Sequence, residues 1–400
     1  MSARDDDGEK RLSRRRFIKW AGGSVAVGAA AVALVEAAGG HKRRETPTRA
    51  TTETQETLAR SPSASAASAA SRREGPLHES AFSIFWITDT QFLSESNPAL
   101  FRMLNNWIVE NWAFFNGKIV IHTGDVVQNG PARQEWANAD GAMSILRANK
   151  LPYTWCAGNH DDFVAGDSTS GWRGNQWTDS FDPKVVSAQV NGLRYARWAG
   201  DYHEGMNTAV SFSANDLNFL VINLEWNAQP DVLRWARGIL DDPAYANHHV
   251  IMAPHAYVDA SGRMDDPRWV AELADFVTGF TALVEAHSSV FLTLNGHFAT
   301  ECGYNTPLPI DGRNQLMFDR QDCADALGDA TGRGVDNPPE SDADKVGGST
   351  VTVLTFDTVN NQIRARTYDV YKGDWRTFSS EQYSVVMFPK LVSKVKVAPQ

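Results

Sequence analysis

The chain has 400 residues, 42% of them hydrophobic and 10% aromatic, which is ample material for a packed core and excludes a chain disordered throughout. Its formal net charge is −10; residues 1–40 carry +2 and residues 41–78 carry +3, so the body beyond them carries −15. A surface of that sign repels the nucleic-acid backbone and anionic lipid, which sets nucleic acid aside as a partner, and the three cysteines form no zinc-binding spacing.

Taken in order, the chain begins with a segment of a different kind from the body. Ser13-Arg14-Arg15-Arg16-Phe17-Ile18-Lys19, followed by the Ala/Gly/Val-rich stretch Ala21 to Ala38, resembles the bacterial twin-arginine export signal. The alternative is a transmembrane helix, but the stretch has few large apolar residues and its insertion energy would be marginal. Residues 1–40 are therefore expected to be a twin-arginine signal segment, with the translocation machinery as a partner. The protein would be exported to a periplasmic, cell-surface or secreted location, touching the membrane only through this segment if it stays uncleaved. Residues 41–78 are Thr/Glu-rich and then Ser/Ala-rich, with almost no large apolar side chain, and read as a disordered linker. That leaves 79–390 as one domain and 391–400 as a C-terminal tail.

Within the body, apolar runs alternate with amphipathic stretches. Phe82 to Thr88 is a predicted strand that ends in Asp89-Thr90-Gln91, and Leu100, Met103, Leu104, Trp107 and Ile108 then fall at helical spacing. Lys118 to Gly130 begins as a β-branched run and delivers Asp125 into a turn. Pro131 is placed to open a helix with Trp136, Ala139, Met143 and Leu146 on one side. The run Pro152 to Ala157 ends in Gly158-Asn159-His160-Asp161. From Phe163 to Thr208 no period is visible and aromatics are frequent, which suggests either a substrate-facing loop or a small satellite core; Trp198, Tyr202, His203 and Asn207 are its candidate substrate-binding residues.

A hairpin is predicted over Ala209 to Leu224, turning at Ala214-Asn215-Asp216, and helices at Val232 to Leu240 and Trp269 to Val284. Between them Val250 to Met252 leads into Ala253-Pro254-His255, and Val290 to Leu294 leads into Asn295-Gly296-His297. Further strands are expected at Asn314 to Phe318, Thr350 to Phe356 and Gln362 to Tyr368, with a surface loop from Ala324 to Gly348. Cys156 reads as a small buried hydrophobe, and His122 as a satisfied core histidine; Cys302 and Cys323 can pair in an exported protein.

Five apolar runs are thus each followed at once by Asp, Asn, His or Gln, the place where open α/β sheets put their chemistry. Their order, Asp-x-Gln, Gly-Asp, Gly-Asn-His-Asp, His and Gly-His, resembles the calcineurin-like metallophosphoesterases from about Phe82 onward. The departures are Gln91 and Ala299, where that family usually has histidines. The resemblance implies an α/β (α+β) fold, a four-layer α-β-β-α sandwich, since the pattern alone gives only alternating strands and helices.

It also implies a metal-dependent phosphoesterase that hydrolyses a phosphomonoester or small phosphodiester of a small molecule. Such hydrolysis needs a nucleophilic hydroxide at neutral pH and positive charge on the non-bridging oxygens, which two divalent ions about 4 Å apart supply. Asp125 would bridge the ions, Asn159, His255 and His297 would complete one position, and Asp89 and Gln91 would serve the other. His160 would protonate the leaving group, with Asp161 holding its second ring nitrogen. The ions would be one or two of manganese, iron or zinc, with magnesium admissible at the position built from Asp89 and Gln91, where Glu301 is a further candidate donor. The alternative is a non-catalytic binding protein that keeps the fold and a single structural metal.

Overall fold

A computed structural model describes residues 81–161, 179–259, 262, 269–298, 308–310, 313–320, 347–376 and 382–386. The expected export segment and linker, Ala299, Glu301, Cys302 and Cys323 lie outside these residues.

The first apolar run becomes β1 (Ala81–Ile87), every residue of which is buried. A strand without a polar face must be covered on both sides. It pairs parallel with β2 (Gly117–His122), which pairs parallel with β3 (Tyr153–Trp155). On its other side lies antiparallel β11 (Thr350–Asp357), and then β12 (Gln362–Asp369), which pairs with both β13 (Asp374–Trp375) and β14 (Gln382–Val386). Among the described residues the second sheet also has seven strands: β4 (Ala196–Tyr202), β5 (Asn207–Ala214), β6 (Leu217–Leu224), β7 (His249–Pro254), β8 (Val290–Asn295), β10 (Arg313–Met317) and β9 (Leu308–Ile310), in that order. Its central strands β6, β7, β8 and β10 are parallel.

The sheets meet face to face across an aromatic seam. Phe82 of β1 lies 5.2 Å, centroid to centroid, from Phe219 of β6 and 4.9 Å from Phe356 of β11, and Phe219 stacks on Phe212 at 5.1 Å. Outside the first sheet run the short α1 (Gln91–Glu95), α2 (Pro98–Asn111) and α3 (Arg133–Ala148). α2 opens on Pro98, and its apolar residues at spacings of three and four, Leu100, Phe101, Leu104, Trp107 and Ile108, are all buried. α4 (Pro183–Asn191) also buries its apolar side, Val186 and Val190, in this core. Over the second sheet, Leu220, Ile222, Val250 and Met252 pack under α5 (Pro230–Leu240) and α6 (Val270–Ala286). The result is the expected α-β-β-α sandwich. None of the helices among the described residues is long and apolar enough to cross a membrane.

Two local expectations need correction. The helix expected from Pro131 begins at Arg133, because the Glu135 carboxylate turns back to accept the amides of Gln128 and Asn129, both at 2.8 Å, and this holds Pro131 in the preceding turn. The stretch from Phe163 to Thr208 is not irregular where it is described. Asp182 caps α4 by accepting the Lys184 amide at 2.8 Å with Pro183 at the first helical position, and β4 follows as an edge strand on β5. The 9-residue helix is shorter than the window over which a helical period is read, and the bulge between Trp198 and Gly200 breaks the alternation of the strand.

The hairpin turn of β5 and β6 is as expected, with Asn215 and Asp216 both at positive φ, 51° and 61°.

Candidate metal centre

The C-terminal ends of parallel strands from both sheets converge on one place. β1 delivers Asp89, β2 Asp125, β3 Asn159 and His160, β7 His255 and β8 His297. Backbone bonds tie these ends together. The Asp89 amide donates to the Gly124 carbonyl at 3.0 Å, the His255 amide to Leu224 at 3.0 Å, and the Gly296 amide to His255 at 2.9 Å. Across the two sheets the Asn223 side-chain amide donates to the His122 carbonyl at 3.1 Å, and the Thr154 and Thr208 hydroxyls meet at 2.6 Å.

Three of these residues sit in the left-handed backbone region: Asp89 at φ 50°, Asp125 at φ 51° and His297 at φ 69°. Each such conformation costs on the order of 1–3 kcal/mol for a residue with a side chain and persists only where its surroundings over-determine it. The neighbouring glycines explain how the carboxylates come so close to other backbone: a Cβ at Gly158 would collide with Asp125, and one at Gly296 with Asp89 and Thr88.

On one side of the centre, a carboxylate oxygen of Asp125 and one ring nitrogen each of His255 and His297 lie within 4.8 Å of one another, all buried. His255 Nδ1–H donates to the Thr123 carbonyl at 2.7 Å, which turns Nε2 towards Asn159 Oδ1 at 3.1 Å and Asp125 Oδ1 at 3.5 Å. A backbone carbonyl on the far nitrogen is the usual way a metal-ligating histidine is oriented. Burial would lower the His255 pKa, but the Asp125 carboxylate beside it lifts it to about 9. Burial would likewise raise Asp125; the charges of His255 and His160 override it and hold the carboxyl well below the usual range. The His297 ring is packed among Trp226 at 4.3 Å, Trp269 at 4.8 Å and Phe298 at 4.8 Å. Donor chemistry, ring orientation and spacing all fit a divalent ion held by Asp125, Asn159, His255 and His297.

The other side is built from oxygen. Both Asp89 oxygens accept the His297 amide at 3.2 Å, and Oδ2 accepts Thr88 Oγ1–H. That hydroxyl ends a relay in which Trp86 Nε1–H donates to Thr123 Oγ1 at 3.0 Å and Thr123 in turn donates to Thr88 at 2.6 Å. Burial pushes the Asp89 carboxyl up to about 7, with the charge of His255 opposing it. Gln91 is buried and directs its amide nitrogen at Asp125 Oδ2, 3.4 Å away; ligation needs the amide oxygen, which a half-turn of the planar group would supply.

The Asp161 carboxylate is not on the His160 ring. Oδ1 accepts the amides of Val126 and Val127 at 2.8 and 2.9 Å, and Oδ2 accepts the Gly158 amide at 2.8 Å, so Asp161 ties the Asp125 loop to the Asn159 loop. Three backbone donors outcompete a ring on the adjacent residue, whose side chain leaves the chain in another direction. The partner of His160 Nδ1–H is instead the Gln128 carbonyl at 3.0 Å. His122 is the satisfied core histidine expected of it. It accepts the Gly124 amide on Nδ1 at 3.2 Å and donates from Nε2 to Thr90 at 2.9 Å, with burial lowering its pKa to about 3. Cys156 is buried, as expected.

The four residues expected to line a substrate wall divide. Asn207 is fully buried and exchanges hydrogen bonds with Glu225, donating to Oε2 at 2.8 Å and accepting the Glu225 amide at 2.9 Å, which makes it a brace. Trp198 lies against Trp155 at 5.8 Å. Tyr202 and His203 stack on each other at 4.4 Å, and His203 lies between Glu225, 2.9 Å from Nδ1, and Asp231, 3.1 Å from Nε2. Trp226, which touches the ligand rings, was not singled out from the sequence. The available signal is its place two residues beyond the apolar run Asn218 to Leu224, close to the position that marks the other site residues.

Residues 82–291 match the family model of the calcineurin-like phosphoesterases. The chain therefore belongs to that family of metal-dependent phosphoesterases, and the match stops short of Gly296-His297. Among curated proteins it is 25% identical over 311 residues to an uncharacterized protein of Bacillus subtilis, YvnB, covering 78% of this chain and 21% of that one, so it spans about a fifth of that relative's length. Solved structures similar to it include a purple acid phosphatase from yellow lupin (Lupinus luteus) seeds, 13% identical, covering 78% of this chain and 55% of that one with a TM-score of 0.42. Another is the sulfate thiohydrolase SoxB of Thermus thermophilus, 8% identical, covering 76% of this chain and 59% of that one with a TM-score of 0.38.

Proposed function

We propose that the protein is an exported, metal-dependent phosphoesterase that hydrolyses a phosphomonoester or small phosphodiester of a small molecule. The observation that carries the reading is the buried Asp125/His255/His297 group, with ligand atoms within 4.8 Å of one another and Asn159 Oδ1 beside His255 Nε2. A bound divalent pair supplies an activated nucleophile at neutral pH and positive charge for the non-bridging oxygens. Asp125, Asn159, His255 and His297 would hold one ion, and Asp89 with Gln91 the other, manganese, iron or zinc at the first and manganese or magnesium admissible at the second.

The chain's own groups would do the rest. His160, with Nδ1–H committed to the Gln128 carbonyl, presents Nε2, and the imidazolium form would pass its Nε2 proton to the departing alkoxide and be left as the neutral ring. Its backbone amide donates to Asp125 Oδ1 at 2.9 Å, which keeps the proton donor registered to the Asp125 carboxylate. Asp161 fixes both loops and takes no part in the transfer. Export rests on Ser13-Arg14-Arg15-Arg16-Phe17 and the apolar stretch behind it; replacing Arg14 and Arg15 by lysine should keep the protein inside the cell, and unchanged export would remove that part of the reading.

The deciding experiment is to reload purified protein with manganese, iron or zinc and offer generic phosphomonoesters and diesters. Turnover that disappears in Asp125→Ala is expected. Silence with every metal, or activity that survives Asp125→Ala, would leave the non-catalytic binding protein.

A further inference from the structure

Resting on the phosphoester reading, we propose that Trp226 and Trp269 form the wall that receives the leaving group, and that they select esters of planar aromatic or heteroaromatic alcohols. Trp226 lies two residues beyond the end of β6, and its amide donates to the Ala157 carbonyl at 3.0 Å, so it is anchored to the same chain segment that delivers Asn159 and His160. Its ring lies 4.3 Å from His297 and 5.9 Å from His255, which places indole against both imidazoles of the centre. Trp269, just ahead of α6, lies 4.8 Å from His297 and 5.4 Å from Trp226 at an interplanar angle of 84°. Together the two rings make a right-angled corner beside the ligand histidines.

Their exposure separates them from packing residues. Phe298, the third ring on His297, is 2% exposed, whereas Trp226 and Trp269 are both half-buried. A large apolar ring left partly in water next to catalytic ligands loses burial that the adjacent core could have provided. An ester whose phosphoryl group was bound by the ions that Asp125, His255 and His297 would hold must extend its alcohol past the first side chains beyond those ligands. On this side those side chains are indoles, and a flat π-face with an edge donor suits a planar ring better than a flexible polyol.

The test compares 1-naphthyl phosphate with n-propyl phosphate on the full-length, manganese-loaded protein and its Trp226→Leu and Trp269→Leu variants. Intrinsic leaving-group reactivity cancels when each variant is divided by the unaltered protein for the same ester. We expect kcat/KM for the naphthyl ester to fall at least tenfold more than for the propyl ester, chiefly through KM, with Trp226→Phe recovering most of the loss and metal content unchanged. Quenching of tryptophan fluorescence by 1-naphthyl phosphate gives a readout independent of turnover, and should weaken in both leucine variants. An equal fall for both esters would mean that the indoles only hold His297 in place, and no change for either would also overturn the proposal. If neither ester is hydrolysed with any metal but the naphthyl ester binds in a Trp226-dependent way, the wall stands and the phosphoesterase reading falls. Absence of both turnover and binding overturns the wall.

Discussion

On the His255 side of the centre the donors are rings, each oriented by something that is not a metal: His255 by the Thr123 carbonyl and His297 by a shell of three aromatic side chains. On the Asp89 side the donors are oxygens, and what orients them is a chain of hydroxyl groups and one backbone amide. A ring fixed by packing keeps its geometry whether or not an ion is bound, while a carboxylate in a hydrogen-bond network must exchange one set of partners for another. The first side is therefore expected to hold a transition ion without rearrangement, and the second to give one up more readily.

The largest test removes what the two sides share. Asp125→Ala should lower turnover by about a thousandfold or more, since this carboxylate would hold the ions that supply several kcal/mol of transition-state charge stabilisation, and should empty both positions in metal analysis. If it emptied only one, the carboxylate would belong to a single position and the two sides would hold their ions independently.

Asp161 probes the scaffold rather than the ions. It binds the Asp125 loop to the Asn159 loop through three amides, while burial and the nearby charge of Asp125 push its own carboxyl well above the ordinary range. All three partners are donors, so the geometry is that of the carboxylate, and a cation at Asp125 would favour that form. Asp161→Ala leaves three buried donors without an acceptor and should cost about 3 kcal/mol or more in chemical denaturation. Stability within 1 kcal/mol of the parent, by the same measure, would show that the loops are held by their other contacts.

The inequality itself can be sharpened by metal counting. After brief chelation the protein should retain about one ion per chain, with activity restored by manganese. Gln91→His, alone and with Ala299→His, replaces neutral or absent donors by imidazole and should raise occupancy towards two. Two tightly held ions in the unaltered protein would refute the inequality and make Glu301 the first side chain to test by substitution.

Much of this centre is legible in the sequence because its ligands follow buried strands immediately, and such strands are unmistakable runs such as Lys118 to His122 or Val290 to Leu294. The residues that orient the ligands were not legible in the same way. Thr123 acts on His255 through its carbonyl, and a carbonyl has no signature in side-chain identity. Asp161 lies beside His160 in the chain, and adjacency suggested a contact that three competing amides prevent. Trp226 has its place after an apolar run as a signal, but its approach to the ligand rings depends on β6 lying beside β7, and β7 beside β8, which the sheet order supplies. The layering was visible only through the family resemblance, because alternating strands and helices are compatible with a single sheet as well as with two.

The smallest expected effect concerns a support of the His255 side. His203 and Glu204 are consecutive residues in the left-handed region, φ 50° and 54°, just before Met206, whose carbonyl accepts the Ala157 amide at 2.9 Å. Two such conformations in succession are strained, and what holds them is His203 itself, with both ring nitrogens on carboxylate oxygens, Glu225 at 2.9 Å and Asp231 at 3.1 Å. Both partners are acceptors, so the ring is an imidazolium; the Glu225 hydrogen bond, against burial, raises its pKa from 6.5 to about 9. The sign follows from that direction. A raised histidine stabilises the fold fully below its unfolded value, near 6.5, and the contribution is lost as pH climbs through about 9. Because the ring is partly exposed, the effect should stay within about 1 kcal/mol. The thermal midpoint of His203→Gln should therefore lie below that of the parent at pH 6 and converge with it by pH 10. A gap that persists unchanged to pH 10 would assign the stabilisation to ring packing on Tyr202, which does not titrate with His203, rather than to the ionic clamp.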